Sequence, residues 1–271
     1  MLNTLRVIFF SPLLTAALFC VSANADSFTV TYLPPGVQTP TGITSNYETF
    51  DSPTYDAGNL TTNFGGSSVT GTYTGQYSIQ GANEYGGAGG TGNYINLYIP
   101  SESTYTYTLT LSSPENYFGM WFSALDSGDE LQFYSGSTLV YTFLPSDYSA
   151  LVGVCPTAAP EPNFCGNPNS AFYNQDPGEQ FAYLNFYDTS STFTSLVFTE
   201  TSGNGFESDN QAVGLNVPIA GTNISAVPEP SSLALFGTGM LVIAVLARRR
   251  SHRSSKNSQR YLVFRLPASR F

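Results

Sequence analysis

Residues Thr104 to Leu111 read T-Y-T-Y-T-L-T-L, and strict alternation over eight residues fits one regular conformation. Successive side chains of a strand point to opposite faces, so the tyrosines and leucines share one face and the threonines take the other. The same period predicts strands over Phe28–Leu33, Tyr94–Ile99, Glu130–Tyr134, Leu139–Leu144, Phe181–Tyr187, Phe193–Thr199 and Ala212–Val217. Tyr117–Leu125 (Y-F-G-M-W-F-S-A-L) is apolar almost throughout, as in a strand buried on both faces, and Trp121 within it is read as core. Asp126-Ser127-Gly128-Asp129 and Tyr134-Ser135-Gly136-Ser137 carry turn chemistry between these runs. Only Ser146–Leu151 suggests a helix, of about one turn. About nine or ten short strands with glycine-rich connections predict an all-β fold, an antiparallel β-sandwich. Asn59–Gly92, which includes Gly86-Gly87-Ala88-Gly89-Gly90, reads as a long loop with weak strands near Val69–Tyr73 and Gln76–Ile79; such a loop is either functional or mobile.

Composition narrows the chemistry. The chain has 9 Lys and Arg, 19 Asp and Glu and 1 His, and no basic residue lies between Arg6 and Arg248. The central body, residues 26–226, therefore has no imidazole base, no Schiff-base lysine and no phosphate clamp. Its uncompensated acidity repels nucleic acid and anionic lipid and favours divalent cations. Among enzyme mechanisms this inventory leaves carboxylate-pair glycoside hydrolysis, for which Asp126, Asp129 and Glu130 are the candidates; a plain β-turn explains the same three residues. Cys155 and Cys165 enclose a Pro- and Asn-rich segment, and in an exported protein they are expected to form a disulfide.

Both ends of the chain carry targeting features. Residues 1–25 have an early Arg6, an apolar core over Leu13–Val21 and Ala23-Asn24-Ala25 as a cleavage site: an N-terminal signal peptide that takes Cys20 with it. Near the other end, Val227-Pro228-Glu229-Pro230 is held extended by its two prolines. An apolar segment, residues 233–247, follows; as a single transmembrane helix its roughly 22 Å falls short of a ~30 Å hydrocarbon core, a mismatch that snorkelling arginines reduce. Arg248, Arg249 and Arg250 then act as a membrane stop that keeps residues 251–271, a basic tail, in the cytoplasm. The order of motif, apolar span and arginines over 227–250 resembles the PEP-CTERM sorting signal of bacterial surface proteins. The resemblance implies an exosortase as processing partner, transient anchoring in the inner membrane, and delivery to the cell surface or extracellular matrix. Such tags normally end a few residues after the arginines, whereas here about twenty more follow.

Two further likenesses concern the body. The run from Tyr117 to Leu125 and on through Asp129–Tyr134 resembles the central hairpin of exosortase-dependent surface proteins with a jelly-roll body. Glu48 and Asp51, near the first strand, and Glu207 and Asp209, at the start of the last, resemble acidic elements of lectin-like jelly-roll modules, where an early glutamate and a late acidic pair meet at calcium. The resemblance implies calcium as cofactor with those four as ligands; solvated turn carboxylates are the alternative. The expected function is that of a non-enzymatic surface or exopolysaccharide-matrix protein sorted through its PEP motif. A carbohydrate-binding module that takes polysaccharide as partner and a carboxylate-pair glycosidase are the alternatives, with tyrosines as the sugar-stacking aromatics in the module.

Overall fold

The computed structural model describes residues 28–43, 46–51, 59–98, 104–157 and 162–224. The expected signal peptide (1–25), the Val227–Pro230 motif, the apolar span, Arg248–Arg250 and the basic tail lie outside the described residues.

Thirteen strands are described: β1 (Phe28–Tyr32), β2 (Asn59–Thr62), β3 (Gly71–Gly75), β4 (Ser78–Gly81), β5 (Asn93–Asn96), β6 (Tyr105–Glu115), β7 (Tyr117–Leu125), β8 (Asp129–Ser135), β9 (Thr138–Phe143), β10 (Gln180–Asp188), β11 (Phe193–Glu200), β12 (Glu207–Gly214) and β13 (Thr222–Ile224). They form two antiparallel sheets, one ordered β13-β1-β10-β7-β12-β5-β4 and the other β2-β3-β6-β11-β8-β9. Among the described residues one α-helix, α1, spans Pro145–Val152. Its proline stands at the first turn, where no intrahelical N–H is needed, and the Asp147 side chain accepts from the Leu144 N–H.

Alternation positions the core. Along β6, Tyr105, Tyr107, Leu109 and Leu111 are buried and the threonines between them face outward. The two sheets meet through aromatic contacts between other strands: Phe118 lies 6.1 Å from Phe198, and Phe133 lies 5.2 Å from Phe186, ring centre to ring centre. Phe133 also packs on Phe28, Phe193 and Tyr141, so its replacement by alanine should cost about 3–5 kcal/mol. Two antiparallel sheets over one shared core make a β-sandwich, an arrangement compatible with a jelly roll.

β7 is buried along its whole length, as its composition predicts, because a second layer covers its outer face. There Trp121 packs against Phe181, Tyr183, Leu33 and Ala124. Val37 and Ala88, from the segments after β1 and before β5, pack against this cluster; the segment before β10 bonds to the one before β5 through Asn167 and Asn169 and carries a Cys155–Cys165 disulfide. Of the expected strands, β12 departs most in its bounds. It begins at Glu207, five residues before the predicted Ala212, because a run of polar side chains is buried there. A bulge after Asp209, with Asn210 at φ 49°, turns Gln211 into the core. Gln211 accepts from the Tyr73 hydroxyl at 2.8 Å and donates to Ser208 Oγ at 2.8 Å, so these buried polar groups satisfy one another.

Candidate functional site

The bulge in β12 sets Asp209 and Asn210 at the floor of a cavity of about 680 Å³. Four loop segments build its walls: Gly36–Thr39, residues 47–51, Ala88–Thr91 and Pro168–Ser170. Hydrogen bonds between them fix the shape. Gln38 Nε2 donates to Asn169 Oδ1 at 2.8 Å, Asn169 Nδ2 to the Gly87 carbonyl at 3.1 Å, and Asn210 Nδ2 to the Gln38 carbonyl at 2.7 Å. The segment carrying Tyr47, Thr49 and Asp51 is held by a backbone bridge in which Glu48 and Gln211 exchange N–H···O bonds of 2.7 and 3.0 Å. The lining is one of hydroxyls, amides and carboxyls with one aromatic face, Tyr47, and no cation.

The structure divides the four acidic residues expected to share a calcium ion. Asp51 and Asp209 both line the cavity. Asp51 is exposed, and its Oδ1 accepts the Asn93 N–H at 2.7 Å; the adjoining Gly92, at φ 76°, leaves room for that carboxylate where a Cβ would collide with it. Glu48 stands beside them but turns its Oε1 to its own loop, accepting the Phe50 N–H at 2.6 Å. Asp209 is only 2 % exposed, and both its oxygens are engaged, Oδ2 with the Ala88 N–H at 2.7 Å and Oδ1 with the Asn210 N–H at 2.6 Å. Burial pushes this carboxyl up to about 8, helped by Asp51 and Glu48 and opposed by the two N–H groups.

Glu207 shares a face of β12 with Asp209 but belongs to another neighbourhood. Its register partners are Asn96 on β5 and Ser123 on β7, and all three are buried. Burial raises its pKa well above the usual carboxylate range, and the charges of Asp126, Glu200 and Asp176 add to the effect. At the same end of the sandwich Asp129 opposes Glu200 across β8 and β11. Burial pushes Asp129 up, and its hydrogen bond with Glu200 acts in the same direction. On Glu200, burial is outweighed by bonds from Asp129, the Ser202 hydroxyl at 2.6 Å and the N–H groups of Ser202 and Gly203, which hold it low. One proton held mainly on Asp129 describes that pair. Burial also takes Asp126 to about 6 and pushes Glu179 up, the latter with Asp176 beside it.

The Asp126–Asp129 segment is a turn closed by its own groups, with Asp126 N–H donating to Asp129 Oδ2 at 2.9 Å. Neither residue lines the cavity, nor does the half-buried Glu130. Trp121, 1 % exposed, offers no platform to a sugar; among the described residues the exposed tyrosines are Tyr85, Tyr98 and Tyr173, and the half-buried Tyr47 is the one in the cavity wall. Gln38, Tyr47, Asn169 and Asn210 were not singled out from sequence. The Gly-rich stretch that supplies Ala88, Gly89 and Thr91 did carry a signal, since its length and composition set it apart.

Comparison with known proteins places one feature. Residues 226–250 match the PEP-CTERM protein-sorting motif. This chain therefore carries the motif of exosortase-processed proteins, which implies secretion, processing at the membrane and sorting to the cell surface, with an all-β body between the chain's two ends. No curated protein and no solved structure matches the chain.

Proposed function

We propose that the chain is a non-enzymatic protein of the cell surface or exopolysaccharide matrix, cut near Val227–Pro230 by an exosortase, and that its body holds polysaccharide in the cavity above Asp209. The observation that carries the binding role is the cavity lining. Sugar hydroxyls find acceptors in Asp51 and in side-chain amides, and the face of Tyr47 suits the apolar face of a pyranose. An absence of cations from the body disfavours phosphorylated or strongly acidic ligands and favours neutral glycans. A two-carboxylate cleavage is disfavoured by the same geometry. Of the two acids lining the cavity, Asp51 is exposed, whereas Asp209 is buried with both oxygens taken by backbone N–H groups.

Two measurements test this reading. Secreted protein screened on glycan arrays should bind neutral glycans without releasing reducing sugar. Tyr47→Ala and Asp51→Asn should each weaken binding by about tenfold, the value of one charge-assisted hydrogen bond or stacking contact. Sugar release abolished by Asp129→Asn would instead establish the glycosidase. For sorting, replacing Pro228, Glu229 and Pro230 by alanine should leave uncleaved protein in the inner membrane; a variant that reaches the surface at normal size and rate removes the exosortase from the account.

A further inference from the structure

We propose that the end of the sandwich where β5, β12 and β7 adjoin is a calcium-type divalent-cation site, with Glu207, Asn96 and Ser123 as its side-chain oxygen donors. The three residues stand in one row across adjacent strands, since Glu207 is paired in register with Asn96 on one side and Ser123 on the other. They are 3 %, 5 % and 0 % exposed. Asn96 Oδ1 and Ser123 Oγ make no hydrogen bond within the protein. Glu207 Oε1 and Asn96 Oδ1 converge on one backbone position. Gly205 lies against Glu207 Oε1 and Asn96 Oδ1, and a Cβ added there would stand 3.1 Å from Asn96 Oδ1 and press on the Glu207 carboxyl.

The composition of this row selects the ligand. A buried polar atom without a partner is costly, so an amide oxygen and a hydroxyl left unpartnered beside one carboxyl call for something that takes oxygen from three sides. An anion is excluded by Glu207 and by the fields of Asp126, Glu200 and Asp176 that reach it. No lysine, arginine or histidine exists in the body to occupy the place. A hard cation suits carboxylate, amide and hydroxyl oxygens together, and calcium tolerates the irregular six- to eight-oxygen shells that such a mixture gives. Among the described residues no three acidic, histidine or cysteine side chains converge in metal-holding geometry. The site accordingly rests on one carboxylate and two neutral oxygens, with backbone carbonyls and water completing the shell. So lightly charged a site belongs to the weak, extracellular class of calcium sites, with Kd of about 0.1–1 mM. This location differs from the one implied by resemblance: it uses Glu207 and omits Asp209, Glu48 and Asp51.

The test is calorimetric titration of the full chain, purified in detergent and stripped with a chelator, using calcium chloride and, separately, magnesium chloride. Saturable calcium uptake is expected, with magnesium at least about tenfold weaker because it demands a regular octahedron. Glu207→Gln should abolish uptake. Ser123→Ala should weaken it by about tenfold, as loss of a supporting ligand commonly does, while leaving the ion-free melting temperature unchanged or higher, because an unpaired hydroxyl has been removed. Asp209→Asn should leave Kd within about twofold. If Glu207→Gln does not fold, Ser123→Ala carries the test. No calcium uptake by the unaltered protein, uptake indifferent to Ser123→Ala, or uptake lost on Asp209→Asn would each overturn the proposal; a buried water in the same gap gives the first of these results.

Discussion

Asp209 and Glu207 lie two residues apart on one face of β12, both buried and both pushed upward in pKa, yet their surroundings are opposite in kind. Asp209 meets donors, the N–H groups of Ala88 and Asn210. Glu207 accepts from its own N–H and lies beside Asn96 Oδ1 and the Ser123 hydroxyl, neither of them hydrogen-bonded within the protein, in the fields of other carboxylates. The first is a structural carboxyl that ties a loop to the sheet and shapes the cavity. The second is incomplete within the protein. Burial and pKa shift alone do not separate the two cases; whether the neighbouring polar groups have partners does.

The largest expected effect tests what the two residues share. A carboxyl whose folded pKa exceeds its unfolded value binds its proton more tightly in the fold, so its stabilisation is complete below the unfolded value near 4 and is lost as pH rises through the folded value. Asp209 at about 8 and Asp126 at about 6 place this window between roughly pH 4 and 8. In chelator, the unfolding free energy should fall across that range by about 1.4 kcal/mol per pH unit for each carboxyl protonated only in the fold. Urea titrations at pH 5 and pH 8 measure it, and stability that rises with pH would contradict the raised pKa values.

A smaller effect separates the two residues. Asp209→Ala orphans the N–H groups of the half-buried Ala88 and the buried Asn210 and should cost about 3 kcal/mol, whereas Glu207→Gln in chelator orphans no donor and should cost less than about 1 kcal/mol. Equal losses in urea unfolding would erase the distinction between a donor-satisfied and an acceptor-flanked acid. The smallest concerns the covering layer common to both. The Cys155–Cys165 bridge spans a separation of 10 residues, so its removal as a double serine variant should cost under about 3 kcal/mol. The difference between the Asp209 and Glu207 variants should survive in that background; its collapse would mean that the bridged segment, not β12, sets the two environments.

Much of the fold could be read from period-two patterning, because alternation is what a half-buried strand requires: β6, β8 and β11 fall within four residues of the expected bounds, and the apolar run of β7 matches its own. Trp121 in the core and the cysteine pair follow from equally local signals. β12 was placed late because Glu207, Ser208, Asp209 and Gln211 are polar and nonetheless buried, and hydropathy has no way to express a polar group satisfied by a distant partner such as Tyr73. β2 and β13, four and three residues long, are too short to show a period. At the cavity, Asp51 and Asp209 stood out as acids, whereas Gln38, Tyr47 and Asn169 arrive from separate loops whose meeting depends on the bulge and the Glu48–Gln211 bridge. Asn96 was invisible for the opposite reason: it occupies an ordinary place in an alternating strand, and only the empty side of its amide oxygen marks it.

The missing cations of the body have a consequence for survival outside the cell. Trypsin-type proteases need a lysine or arginine side chain to fill a pocket with an aspartate at its base. Between Arg6 and Arg248 this chain offers none, so the entire sandwich, loops included, is a single uncut segment to that whole group of enzymes whether folded or not. A protein that must persist among secreted proteases thus resists one major group of them by composition, independently of how well its loops are packed.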